Sequence, residues 1–177
     1  MNENQQRIKH LYHRAGFGMG LNTWHKVQGK SWKQALKQLL KGAEENEYLS
    51  VGELEIPSPV EMKMMEKDER REIAQTNRIF LKELNVAWDR RMMFTKSQLR
   101  EKMTVFWHDH FACRLLFYPM AVRQNNTFRN HALGKFKDLL EAVAKDPGML
   151  QFLNGQQNKK AHPNENFARE LLELFTM

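Results

Sequence analysis

Apolar side chains return every three or four residues along most of this chain, and proline and glycine fall at the seams between those runs. Such spacing gathers the apolar groups on one side of a helix and leaves the polar groups on the other. A non-helical pattern is confined to residues 42–57, read as a loop with room for one short extended piece over 48–57. The expected fold is all-α: an irregular multi-helix bundle with little or no β structure. At 177 residues the chain is long enough to bury a core and is expected to form one helical domain.

The seams are legible. Ile8, Leu11 and Tyr12 mark a helix over 3–14, with Gly16 expected to close it in the left-handed conformation. Ser31 is placed to cap a helix that turns Trp32, Leu36, Leu39 and Leu40 inward and Lys33, Lys37 and Lys41 outward. Ser58-Pro59-Val60-Glu61 has the order of a helix start, a cap residue followed by proline and a carboxylate three residues on. A long helix is predicted over 68–93, and another begins after Thr95 or Ser97. On that helix Leu99, Met103, Phe106 and His110 set the expected inward face. Pro119 is expected to interrupt the chain before a helix over 120–133, whose inward face centres on Phe128 with Gln124 and Asn125. Helices through 136–143 and 147–153 follow. The last is predicted from Pro163, with Glu165, Arg169 and Glu173 as an outward ladder.

Charge is unevenly placed. Residues 1–42 hold eight Lys/Arg and a single acid, Glu3, whereas 43–177 hold 20 basic and 20 acidic side chains, so the net +7 belongs to the N-terminal quarter. A basic end suits a nucleic acid, an acidic membrane surface or an acidic partner. Cys113 is the one cysteine, which excludes an internal disulfide and fits a reducing compartment. The first residues carry no apolar stretch of the kind that begins a signal peptide, and no uncharged apolar run is long enough to span a bilayer. A cytoplasmic location is expected, with no membrane span.

Residues with chemical capacity cluster on three predicted helices. His108 and His110 stand two apart, which on a helix separates them by about 200° and blocks a shared metal ion. No metal and no cofactor is expected. Arg100, Glu101, His108, His110, Arg123, Gln124, Asn125, Asn158, Asn164, Asn166 and Arg169 are candidates for a buried polar network, since polar groups among apolar stripes must find partners. Lys159, Lys160 and His162 precede the last helix, whose free amides would suit an anion. Phosphate-binding glycine loops, nucleophile elbows, Cys-x-x-Cys pairs and His-Glu-x-x-His are missing.

Four segments taken together, HLYHRAGFG (10–18), LREKMTVFWHDHFA (99–112), VRQNNTFRNHALGKFKDLLEAVAKDPGMLQFL (122–153) and HPNENFARELLELFT (162–176), resemble the N-terminal part of a bacterial family, domain of unknown function 1800. The resemblance implies a largely helical protein that runs beyond this length, so that the chain would be the N-terminal fragment of a larger helical domain. It marks His10, Arg14, Gly16 and Gly18, then Arg100, Glu101, His108 and His110, then Arg123, Gln124 and Asn125. In the last motif it marks Gln157, Asn158, Pro163, Asn164, Glu165, Asn166, Arg169 and Glu170. No catalytic role transfers with it.

Three functional readings follow. The first is a structural or interaction module, held together by the polar network and docking a protein partner or the remainder of its own longer chain. The second is a hydrolase-like enzyme using His110, His131, His162, Glu165 and Glu170 between helices, provided they converge within hydrogen-bond reach. The third is nucleic-acid binding through the basic N-terminal 42 residues.

Overall fold

A computed structural model of the protein describes residues 1–161 and 165–176, and within them every side chain except those of Pro59 and Asn166. The described residues form α1 (Glu3–Ala15), α2 (Leu21–Val27), α3 (Trp32–Gly42), α4 (Pro59–Met64), α5 (Lys67–Phe94), α6 (Gln98–His110), α7 (Tyr118–His131), α8 (Phe136–Ala144), α9 (Pro147–Phe152) and α10 (Glu165–Phe175), with a 3-10 turn at Gly155–Gln157. No β-strand forms among them, and the fold is all-α.

Local chemistry sets most of these boundaries. Asn2, Ser31 and Ser58 each cap a helix, and the backbone amide of each donates in return to the side-chain oxygen three residues on. Asp146 caps α9 by accepting from the amides of Gly148 and Met149. Three expectations need correction. α2 lies in a stretch where no helix was read, a single two-turn element without a side-chain cap. The helix expected to begin after Pro119 begins at Tyr118 and takes Pro119 into its first turn, which needs no donor from proline. Gly16 is extended (φ −145°), and the left-handed glycine is Gly18 (φ 100°). Space at Gly16 is tight instead: a Cβ there would lie 2.5 Å from the flexible end of the Gln98 side chain and 3.1 Å from the Tyr12 carbonyl oxygen.

Three apolar clusters make the core. Ile8, Tyr12, Val27, Ala35 and Leu39 join α1, α2 and α3. Leu49, Leu84 and Tyr118 join the 43–58 connector to α5 and α7. Phe111, Phe128, Leu139, Val143, Met149, Leu153, Leu171 and Phe175 join the end of α6 to α7, α8, α9 and α10. Between them runs α6, which packs against α1, α3, α5 and α7.

The face that α6 buries is not the one its apolar periodicity selects. Phe106 is 51% exposed, whereas Glu101 and Thr104 are sealed and Ser97 and Phe111 continue the same side. Positions 97, 101, 104 and 111 share a helical face, and that face is mainly polar.

On α7 the expected face holds, with Gln124, Asn125, Phe128 and Ala132 all buried. On α10 Phe167, Leu171 and Phe175 pack inward, while Leu172 and Leu174 stay exposed.

Candidate functional site

At the centre of the fold Glu101 and Arg129 form an ion pair. Glu101 stands in the first turn of α6 and Arg129 in the last turn of α7, each where the helix dipole favours its charge. Arg129 Nε donates to Glu101 Oε1 at 2.7 Å and a terminal guanidinium nitrogen donates to Oε2 at 3.1 Å. Exposures of 0% for Arg129 and 2% for Glu101 mean that neither is reached by water. Desolvating two charges costs several kcal/mol per ion, so such a pair is tolerated only where every polar atom is matched.

Matching is supplied by α5 and by further side chains of α6 and α7. Trp88 Nε1 on α5 donates to Glu101 Oε2 at 3.1 Å. The remaining guanidinium nitrogen of Arg129 donates to Asn126 Oδ1 at 2.6 Å. Arg91 on α5 stands 3.9 Å from Glu101 Oε1. Arg100 donates to the carbonyl of Arg129 at 2.8 Å and to that of Ala43 at 2.9 Å. Burial lowers the Arg100 pKa, with Glu101 opposing that shift and Arg129 adding to it.

The same side chains hold the 43–58 connector, which has no secondary structure to satisfy its backbone. Asn126 accepts from the Leu49 amide and donates to the Leu49 carbonyl, both at 2.8 Å, as a neighbouring strand would. Tyr118 Oη accepts from the amides of Val51 and Gly52 and donates to the Gly52 carbonyl at 2.8 Å. Arg91 donates to the carbonyls of Glu47 and Tyr48, and Ser97 Oγ to that of Glu45. Asn77 on α5 locks the start of α7, accepting from the Tyr118 amide and donating to the Leu116 carbonyl.

A second buried cluster joins Gln124, Asp146 and Cys113. Gln124 Nε2 donates to Asp146 Oδ1 at 3.0 Å and lies 3.2 Å from Cys113 Sγ. Burial raises the Asp146 pKa, and the amides of Met149 and Gly148, the Gln124 amide and the charge of Arg123 pull it back. Burial also raises the Cys113 thiol pKa, which suppresses the nucleophilic thiolate. Asp146 Oδ2, Asn125 Oδ1 and Gln98 Oε1 are buried without a hydrogen-bond partner among the described residues.

The histidines go different ways. His108 presents its ring edge-on to Trp88 and Phe128, and those rings strip water from one side of it and lower its pKa. Its other side opens on a 630 Å³ cleft between α5 and α6, lined also by Asp89, Lys102 and Asp109. His110 lies on the outside, stacked on Phe106, with Nε2 2.8 Å from the Phe175 carbonyl at the end of α10. His131 is half-buried in the last residue of α7.

Of the α10 candidates, Glu170 is half-buried and Glu165 and Arg169 are exposed. Ten residues of helical rise put Glu165 about 15 Å along the axis from Phe175, the residue His110 touches. Lys159 and Lys160 are exposed ahead of α10, and so is Asn158, whereas Arg123 is exposed on α7. His162 and Asn164 lie outside the described residues, as does the side chain of Asn166. Among the described residues no group of three or more His, Cys, Asp or Glu is placed to hold a metal ion.

Of the sequence candidates, Arg100 and Glu101 meet in the central network and Gln124 anchors the second cluster. Sequence reasoning passed over Arg129, Trp88, Asn126, Asn77 and Asp146. For Arg129 a signal was available: it follows Phe128 and stands four residues after Asn125, on the edge of the face already drawn inward.

Residues 10–177 match the model of the family described as Protein of unknown function (DUF1800). No curated protein and no solved structure matches the chain.

Proposed function

The chain belongs to the DUF1800 family, whose matched span takes in both partners of the buried ion pair, and from that premise we propose that it is a helical structural and interaction module organised by the Glu101–Arg129 network. The observation that carries this reading is the closure of the network. Arg100, Glu101, Arg129 and Trp88 direct donors and acceptors at one another, at Asn126 and at the backbone carbonyls of Ala43 and Arg129. Groups so occupied organise helices; they do not turn over substrate. The partner is a protein surface, either a further part of the same polypeptide or a separate chain. A cytoplasmic setting goes with this reading, since Cys113 is a free thiol bonded to an amide. Among the described residues no helix is long and apolar enough to cross a membrane.

The test pairs two readouts. Stability and hydrolysis of ester, phosphoester and peptide reporters are measured for wild type, His110→Ala, His131→Ala and Glu101→Gln. The module predicts no turnover above blank and a large stability loss for Glu101→Gln alone. Turnover that disappears in a stably folded His110→Ala or His131→Ala variant would establish the hydrolase instead.

A further inference from the structure

The cleft between α5 and α6 gathers polar side chains that the fold itself does not use. Positions 85, 88, 89 and 92 of α5 and positions 102, 105, 106 and 109 of α6 share one helical spacing, so each helix gives one stripe to the walls. The volume, 630 Å³, falls in the range of about 300–1,000 Å³ that holds a small molecule.

Asp89 and Asp109 bring one carboxylate to each wall. Among the described residues neither is ion-paired. Their carboxylates, the Asn85 amide and the His108 ring nitrogens have no hydrogen-bond partner among those residues either. Lys102 is the one lysine or arginine of the lining, and its ammonium lies 5.2 Å over the ring of Phe17, a residue outside the cleft. Burial lowers the His108 pKa against the pull of Asp109, so at neutral pH the ring offers an acceptor without repelling a cation. The walls therefore carry net negative charge on a chain whose net charge is +7.

Aromatic surface stands beside these carboxylates. Phe106, 51% exposed, and the half-buried Trp88 line the same cleft. A guanidinium suits this pairing, since it is planar and weakly hydrated, forks onto carboxylates and lies against rings. A compact, strongly hydrated ammonium gains less from the rings. For a metal ion, no group of three or more His, Cys, Asp or Glu is in place among the described residues.

We propose that this cleft binds a guanidinium group, carried by a small molecule or by an arginine side chain of another protein. Asp89 and Asp109 accept its hydrogen bonds, and Phe106 covers one of its faces. The proposal goes beyond the structural reading, and none of the residues varied below belongs to the Glu101–Arg129 network, so either can fail alone.

The experiment is an NMR titration of the isotope-labelled full chain with agmatine, with N-acetyl-arginine amide and with N-acetyl-citrulline amide, which has a side chain of similar shape and no charge. Saturable shifts centred on residues 85–92 and 102–109 are expected with the two guanidinium compounds and not with the citrulline compound. Tighter binding of agmatine assigns a small-molecule ligand, and tighter binding of the arginine compound assigns a protein side chain. Asp89→Asn with Asp109→Asn, both at exposed positions, is expected to weaken binding about tenfold or more while circular dichroism stays that of wild type. Phe106→Ala also weakens it and serves if the first variant fails to fold. Absence of a saturable shift with either guanidinium compound overturns the proposal. So do equal shifts with the citrulline compound, equal affinity for butylamine, or undiminished binding by the variants that fold.

Discussion

Arg129 and Glu101 meet through two hydrogen bonds, 2.7 and 3.1 Å long, in a place that solvent does not reach. Removing one partner strands the other as an uncompensated buried charge. Arg129→Met is therefore expected to cost about 3–5 kcal/mol in urea unfolding. Replacing both, Glu101→Leu with Arg129→Met, is expected to restore most of that loss, because no charge is then left to desolvate. A double variant as unstable as the single one would show that the pair's neighbours, not its charges, set the cost.

Tyr118 Oη is the anchor for residues 51 and 52 of the connector. Tyr118→Phe keeps the ring against Phe80, 5.1 Å away between centroids, and deletes only the hydroxyl. The expected loss is about 1–3 kcal/mol, since the amides it satisfied lose a partner. Hydrogen exchange is expected to speed up at Val51 and Gly52 before it does in α5 or α7. Uniform acceleration across the chain would contradict an anchoring role.

Burial against Trp88 and Phe128 lowers the His108 pKa below its ordinary 6.5. As pH falls from 6.5 toward the lowered value, the unfolded chain takes up the proton first. Stability contributed by the neutral ring is thus complete above pH 6.5 and declines as acid is added through that window. Melting temperatures of wild type and His108→Gln, compared across this range, are expected to differ in slope, with the variant flatter. Parallel curves would count against the assignment.

Gly42 ends α3 where a Cβ would lie 2.6 Å from the Lys96 carbonyl oxygen, a backbone atom with little room to yield. Gly42→Ala is expected to destabilise by about 1–3 kcal/mol. Gly29, by contrast, has nothing within 4 Å and lies outside the left-handed region. Gly29→Ala is expected to be neutral or to stabilise by about 0.4–1 kcal/mol through the unfolded chain. Thermal melts of the two variants decide it.

The helical class, the caps at Ser31 and Ser58, and the inward face of α7 were legible in the sequence because each depends on residues within one or two turns of one another. The connector at 42–57 was legible as a loop for the same reason, but what holds it was not. Its partners Asn126, Tyr118 and Arg91 lie 77, 67 and 44 residues away along the chain. Local spacing puts Arg129 at the edge of the inward face of α7, but its partner Glu101 lies 28 residues away along the chain.

On α6 the two levels conflict. Local periodicity selects Leu99, Met103, Phe106 and His110, and on that basis Glu101 belongs at the margin. Packing selects the other side because a carboxylate in its first turn faces a guanidinium in the last turn of α7, with Trp88 on α5 bonded to the one and Asn126 on α7 to the other. Sequence by itself determined that this chain would be helices and where most of them begin, because hydrogen bonds and apolar stripes within a helix are short-range. Only the tertiary structure decided which polar face went inside, because the free energy of burying a charge depends on partners that the chain brings together after the helices exist.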